Sequence, residues 1–244
     1  MSAFANRTAL ITGAASGIGL AAAQHLAANG AAKLILVDRD PLPDLPCETL
    51  AAQGDIRDEA FWESLDLANL DHAVVNAGVA GAGLIADLDY DEWRRILSVN
   101  LDGAFLTLRA AMRAMKGRGG SIVLTASAAG VKAEPGIAAY GASKAALLHL
   151  AKIAAKEGAK DNIRVNAIAP AGVETPVWDA IPMFAQRAAE IGRDAAFAEM
   201  AKLATPLGRY AKPEEIAAQI AFLLSDEAAL ITGTTLLSDG GYTL

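Results

Sequence analysis

The sequence predicts an α/β fold: a doubly wound parallel sheet with helices on both faces. Two observations carry the prediction. Short apolar runs alternate with longer helix-periodic segments along all 244 residues. The runs are nearly continuous in hydrophobicity, as strands covered on both faces must be. The right-handed rule for strand–helix–strand connections then winds helices onto both sides. No repeat, linker or composition shift divides the chain, so one domain over 1–244 is expected.

In chain order, "TALIT" (8–12) is the first strand and a helix follows at 17–29. "KLILV" (33–37) is the second strand. "DPLPDLPCE" (40–48) holds three prolines and predicts an extended or turn-rich connection. A weak strand near "GDI" (54–56) precedes a helix at 58–66, and "HAVVNA" (72–77) is the next strand. A long helix at 91–115, the strand "SIVLTA" (121–126) and a helix at 138–159 lead to "IRVNAIA" (163–169). The helix-prone stretch 174–210 breaks the rhythm. It follows a strand end and carries Trp178, Met183, Phe184, Phe197 and Met200, so a substrate lid is expected there, its charged residues forming a wet face. A helix at 213–224 and the strand "TTLLS" (234–238) complete the pattern.

Hydrophobic residues make up 53% of the chain, which argues for a packed core. A net charge of −7 gives no footprint for nucleic acid or an anionic membrane. Cys47 is the single cysteine, which suits a reducing cytoplasm, and the first residues lack a secretory pattern; a cytoplasmic protein is expected. His25, His72 and His149 are scattered, so no catalytic metal is expected.

Three features carry chemistry. In "TGAASGIG" (12–19), Gly13, Gly17 and Gly19 let the backbone turn and approach a ligand, while the helix start offers N–H groups and a positive dipole end to a pyrophosphate. Asp38 ends the second strand, where a carboxylate accepts hydrogen bonds from an adenosine ribose. In "YGASK" (140–144), Tyr140 and Lys144 share one helix face. A free phenol, with a pKa of about 10, is a poor base at neutral pH, and a nearby ammonium favours its charged form. The pair therefore reads as a proton-transfer device tuned by the lysine.

Together these motifs resemble the short-chain dehydrogenase/reductase family in its compact single-domain, Rossmann-type form. "NAG" (76–78), Asn100 in "SVNLDG", Ser127 in "TASAAG" and "DGG" (239–241) match the family as well. Two departures stand out: Val75 precedes Asn76 where the family commonly has a second asparagine, and Ala171 in "PAGVET" replaces a usual glycine, so a slightly altered turn is expected there.

The resemblance implies a catalytic set of Asn100, Ser127, Tyr140 and Lys144. Tyr140 would exchange a proton with the substrate oxygen, Ser127 would hydrogen-bond that oxygen, and Asn100 would hold a water linking Lys144 to solvent. Lys144 would also touch the nicotinamide ribose. Further cofactor contacts are implied at Ser16, Ile18, Asp55, Ile56, Asn76, Ala77, Gly78, Pro170, Val173 and Thr175. The expected cofactor is NAD, because Asp38 repels a 2′-phosphate; the expected substrate is a small secondary alcohol or ketone. An NADPH-dependent 3-oxoacyl-carrier-protein reductase is the alternative, and a non-catalytic nucleotide-binding protein a third reading. The resemblance implies a homo-oligomer, a tetramer foremost; the Ala-, Leu- and Met-rich helices at 91–115 and 138–159 suit a partner's surface and packing on the sheet equally.

Overall fold

The computed structural model describes residues 3–244. Seven strands form one sheet: β1 (Thr8–Thr12), β2 (Lys33–Asp38), β3 (Glu48–Gln53), β4 (His72–Val75), β5 (Gly120–Thr125), β6 (Ile163–Pro170) and β7 (Thr235–Ser238). Their order is β3-β2-β1-β4-β5-β6-β7, every neighbour parallel. The helices are α1 (Gly17–Ala28), α2 (Glu59–Ser64), α3 (Tyr90–Leu97), α4 (Ala104–Met115), α5 (Ala138–Gly158), α6 (Pro182–Ile191), α7 (Arg193–Ala204) and α8 (Pro213–Leu224). Among the described residues no helix is long and apolar enough to cross a membrane.

The continuous hydrophobicity of the strands has a direct explanation. Leu10, Ile35, Val75 and Leu124 enter one core, beside Leu108 and Met115 of α4 and Leu147 of α5. Their chain neighbours Ile11, Leu34, Leu36, Val74 and Val123 enter a second core on the other face, with Leu26 of α1 and Ile216 and Ile220 of α8. Successive side chains of a strand point to opposite faces, so both must be apolar when both faces are covered.

Two expectations need correction. The third strand is not at 54–56 but at Glu48–Gln53, pairing in parallel with β2 from Lys33↔Glu48 to Asp38↔Gln53. It is an edge strand, exposed or half-exposed at every residue but Ala52, and its mixed sequence "ETLAAQ" hides it from a search for apolar runs. The helix expected at 91–115 is interrupted by a π-helical turn, Ser98–Gly103, between α3 and α4. Such turns bulge the helix locally and re-aim its side chains; this one carries Asn100.

In this strand order the chain leaves β1 toward β2 on one side, while β4 lies on the other. That reversal opens a crevice beyond the carboxyl ends of β1 and β4, where ligands of open α/β sheets bind. Asp38, Asn76, Ser127 and Pro170 all lie at or just beyond carboxyl strand ends.

Candidate active site

The glycine loop is built by close packing. Gly13 has φ +70, a conformation that favours glycine, and a Cβ there would lie 2.8 Å from Asn76 Nδ2. At Gly19 a Cβ would collide with the Gly13 carbonyl and lie 2.7 Å from Asn76 Nδ2. Gly17 (φ +56) faces Thr175 across the crevice, a Cβ there lying 3.3 Å from Thr175 Cγ2. The glycines let the loop pack against Asn76, Ala77 and Thr175 with its backbone at the carboxyl end of β1, where the N–H groups at the start of α1 suit a dinucleotide's phosphates. Ser16 is the extended residue before α1, and Ile18 packs against the second core.

Thr12 is the hub of this corner, and the motif reading passed it over. Its buried hydroxyl donates to Val74 O (3.4 Å) and accepts from the N–H groups of Asn76 (3.0 Å) and Ala77 (3.1 Å). The Asn76 amide donates to Thr12 O at 3.0 Å. These bonds join the ends of β1 and β4. The signal was in the sequence: a threonine ending a strand directly before the glycine turn.

Asp38 has a structural task as well as a place at the end of β2. One carboxylate oxygen accepts from Ala15 N at 2.9 Å, and the other from the N–H groups of Arg39 (2.7 Å) and Asp40 (3.1 Å). It braces the glycine loop from the end of the neighbouring strand β2. Asp55 is engaged by Arg57, whose guanidinium reaches both carboxylate oxygens, with Nη2–Oδ2 at 2.6 Å. That hydrogen bonding lowers the Asp55 pKa. Ile56 is buried in the core, its carbonyl accepting from Trp62 Nε1 at 2.8 Å, so only its backbone remains to meet a ligand.

The four residues of the implied catalytic set converge. Asn100 is fully buried, in the π-helical turn. Its Oδ1 accepts from Val79 N (2.8 Å), and its Nδ2 donates to Val79 O (2.9 Å) and Ser143 Oγ (3.1 Å). Ser143 in turn donates to the Tyr140 carbonyl at 2.7 Å. The amide thus ties the segment after Gly78 to the first turn of α5. A Cβ at Gly78 would lie 3.2 Å from Asn100 Oδ1 and 3.5 Å from Lys144 Nζ, so glycine there lets the two approach.

Lys144 is buried, and its ammonium donates to Thr125 O at 2.9 Å. Burial pulls its pKa down to about 8. Nζ lies 5.7 Å from the centroid of the Tyr140 ring. Burial pushes the Tyr140 phenol up, and a hydrogen bond to Ser127 opposes it. Burial outweighs the Ser127 hydroxyl, so the phenol stands above its ordinary value.

Ser127 caps the short turn Ala128–Gly130, accepting from Ala129 N at 3.1 Å, and its hydroxyl reaches Pro170 O at 3.4 Å. That turn lies flush on α5: a Cβ at Gly130 would sit 2.7 Å from Ala145 N. Small residues on both sides thus set the spacing between Ser127 and Tyr140.

Past β6, Val173 O accepts from Trp178 Nε1 at 2.8 Å, and Thr175 O accepts from Arg193 Nη2 at 2.8 Å. Ala171 is not among the residues with positive φ, so alanine carries no left-handed strain there. In 174–210 the aromatic side chains pack on one another. Phe184, Phe197 and Tyr210 are buried with Trp178, and the Phe184 and Phe197 centroids are 4.4 Å apart. Of the apolar residues named there, Met183 alone stands out in solvent, 66% exposed. The charges link up on the outside: Arg187 with Glu190 and Glu199, Arg193 with Asp179.

A family model described as "Enoyl-(Acyl carrier protein) reductase" matches residues 13–243. A cis-4-hydroxycyclohexanecarboxylate dehydrogenase of Sinomonas cyclohexanicum is 37% identical over 256 residues, covering 99% of this chain and 98% of that protein. A 3-oxoacyl-[acyl-carrier-protein] reductase of Thermotoga maritima is 36% identical, covering 96% of this chain and 97% of its own length. Among solved structures, a short-chain type dehydrogenase/reductase from Mycobacterium marinum superposes with a TM-score of 0.86 at 31% identity, over 98% of this chain and 96% of that one. With its seven-stranded parallel sheet, glycine cradle and convergent Asn, Ser, Tyr and Lys, the chain belongs to the short-chain dehydrogenase/reductase family of nicotinamide-dependent oxidoreductases.

Proposed function

We propose that the chain is an NAD(H)-dependent oxidoreductase acting on a small, secondary alcohol or ketone, with Tyr140 as general acid and base. One observation carries this reading. Tyr140 lies near enough to Ser127 for the serine hydroxyl to lower its phenol against burial, and one helical turn from the buried Lys144, whose Nζ is 5.7 Å from its ring centroid. Gly13, Ser16, Gly17, Ile18 and Gly19 would hold the pyrophosphate, Asp38 the adenosine ribose, the backbone near Asp55 and Ile56 the adenine side, and Asn76, Ala77, Gly78, Pro170, Val173 and Thr175 the rest of the dinucleotide. The bound nicotinamide supplies the hydride acceptor or donor.

The chain's own groups do the proton work. Ser127 orients the substrate oxygen and stabilises charge developing on it. Tyr140 takes the alcohol proton during oxidation and returns it during reduction. Lys144 favours the phenolate when charged, and a buried ammonium with a pKa near 8 can pass its own proton onward. Asn100 holds the wall behind Lys144, where a water would connect the ammonium to solvent.

The whole chain acts as one domain, with 174–210 as its substrate lid. It assembles as a homo-oligomer, foremost a tetramer, in the cytoplasm. Phe105 on α4 and Ile153 on α5 are large apolar residues left partly exposed, in keeping with a partner covering those helices.

The Thermotoga relative favours a second reading, NADPH-dependent reduction of a carrier-bound 3-oxoacyl group. Two features weigh against it, although Arg39 beside Asp38 leaves room for a 2′-phosphate. Asp38 repels that phosphate, and four cations around the substrate side are paired: Arg95 with Glu92, Lys132 with Glu134, Arg193 with Asp179, Lys212 with Glu174. An acidic carrier would meet few free charges there.

The test is a screen of secondary alcohols with NAD⁺, read at the nicotinamide absorbance, on wild type and Tyr140→Phe. The variant should bind NADH nearly as wild type does and lose turnover by about a thousandfold. Turnover within about threefold of wild type removes Tyr140 from the chemistry. Cofactor binding without turnover on any alcohol or ketone leaves a nucleotide-binding protein.

A further inference from the structure

The "DGG" segment and the residues after it have no role in the chemistry above, yet they join two walls of the site. Asp239 folds the segment back on itself, accepting from Gly241 N (2.9 Å), Thr243 N (3.0 Å) and Thr243 Oγ1 (2.6 Å). On one side, Gly240 O accepts from Leu207 N at 3.1 Å, and a Cβ at Gly241 would lie 2.8 Å from Pro206. That is the return of the α6–α7 pair to the body of the protein.

On the other side the segment meets the loop 131–136, which runs from the Ser127 turn to Tyr140. Tyr242 Oη donates to Glu134 Oε1 at 3.0 Å, and Lys132 Nζ donates to Tyr242 O at 2.9 Å. Lys132 Nζ also stands 4.3 Å from the Tyr242 ring centroid and 3.6 Å from Glu134. Three side chains close one cluster, with the cation on the ring face and the phenol on the carboxylate. Burial and Glu134 push the Tyr242 phenol up to about 12, so it stays a donor at any working pH. The far end of the loop is pinned separately by Gly83 N on Gly136 O at 2.7 Å.

We infer that Tyr242, with Lys132 and Glu134, is a positioning device for substrate. It fixes the loop between Ser127 and Tyr140 and couples that loop to the base of the helix pair, so that the two walls of the substrate pocket move together. The inference rests on the reading of Ser127 and Tyr140 as the reacting edge. Tyr242 touches no reacting atom and acts through the loop.

The experiment uses amide hydrogen exchange on the full chain with NADH present. Tyr242→Phe and Glu134→Ala remove the same bond from opposite ends. Either substitution should speed exchange of the Lys132 and Leu207 amides about tenfold or more while the core strands stay protected. The double variant should be no worse than the singles, because the two groups act as one unit. Lys132→Arg should stay close to wild type and Lys132→Met should resemble the Tyr242 variant. With cyclohexanol as probe, KM should rise about fivefold or more while kcat changes less than twofold and NADH affinity is unchanged. Unchanged exchange at Leu207 in both single variants, or additive losses in the double, overturns the coupling. The exchange measurement needs no turnover, so failure to oxidise cyclohexanol would count against the proposed function and not against this device.

Discussion

Tyr140 and Lys144 show why two residues four apart need a fold around them to become chemistry. Burial raises the phenol and lowers the ammonium to about 8, so each group is pushed toward its neutral form. On the proposed mechanism, a positive charge beside Tyr140 brings the phenol back toward a useful range. Lys144→Met should therefore shift the onset of alcohol oxidation to higher pH and weaken NADH binding; a pH–rate profile and a fluorescence titration read both. An unchanged profile with unchanged affinity leaves the lysine a packing residue. Asp38 carries two tasks that substitution can separate. Its charge opposes a 2′-phosphate by about 1–3 kcal/mol at close range, roughly tenfold to a hundredfold in preference. Its oxygen also braces Ala15 N. Asp38→Asn removes the charge and keeps one acceptor oxygen for Ala15 N, giving up the bonds from the Arg39 and Asp40 N–H groups, so it should raise kcat/KM with NADP relative to NAD by about tenfold or more at less cost to the loop than alanine. Asp38→Ala should shift the same ratio but lower activity with both cofactors. A wild-type preference for NADP would make this reading of Asp38 wrong.

At the scale of elements, what the sequence revealed depended on whether an element stands on its own pattern. Strands covered on both faces announce themselves as apolar runs, and α8 ends where its pattern does, at Pro213 and Leu224. β3 has one neighbour and a half-exposed face, so "ETLAAQ" shows no run. The π-helical turn carries Asn100 into a tertiary bond with Val79, a partner that no local pattern encodes. The motif glycines were legible because their spacing is local, whereas the brace from Asp38 to Ala15 and the Tyr242 cluster join residues far apart in the chain. The α6–α7 pair was legible as an apolar insertion, but its aromatics face inward. Trp178, Phe184, Phe197 and Tyr210 make a small core of their own, with Arg193 over both phenylalanine rings at 5.5 and 5.1 Å. If the pair is a lid, it moves as a body on its joints. Limited proteolysis of the ligand-free protein should cut first near 174–181 and 204–208, and NAD with substrate should protect those sites. Phe197→Ala removes a buried ring, at about 3–5 kcal/mol for a well-packed site. It should open new cuts within 182–204 while the rest of the chain resists. A variant cut no faster inside the helices would show that the small core does not hold the pair together.

Across the whole molecule, the two ends of the sheet carry different burdens. The carboxyl end gathers groups for a ligand, and the amino end seals the fold with a buried polar network. His72 begins β4 there and is 6% exposed. Its Nδ1 is 2.8 Å from Ser121 Oγ, and Ser121 donates to Leu224 O at 2.7 Å. The serine has one proton and spends it on the carbonyl, so it accepts from His72, which fixes the neutral ring with Nδ1–H. Arg164 closes the same corner, donating to the carbonyls of Leu223, Leu224, Ser225 and Ile231 at the end of α8. Burial, the largest influence, pulls the His72 pKa to about 4, against 6.5 for a free imidazole. The sign follows from proton counting. Between those values the unfolded chain binds a proton that the folded chain refuses, so stability falls as pH falls from about 6.5 to about 4. The full loss for this shift is about 3 kcal/mol, reached below pH 4, and above pH 6.5 the group contributes no pH dependence. His72→Gln retains an amide donor for Ser121 without a titrating ring. Urea unfolding at pH 7 and pH 4.5 should show wild type losing about 2 kcal/mol more than the variant over that interval, with other acid-sensitive groups common to both. Parallel losses in the two proteins would mean that the ring is protonated without cost, and that water reaches His72 in the folded state.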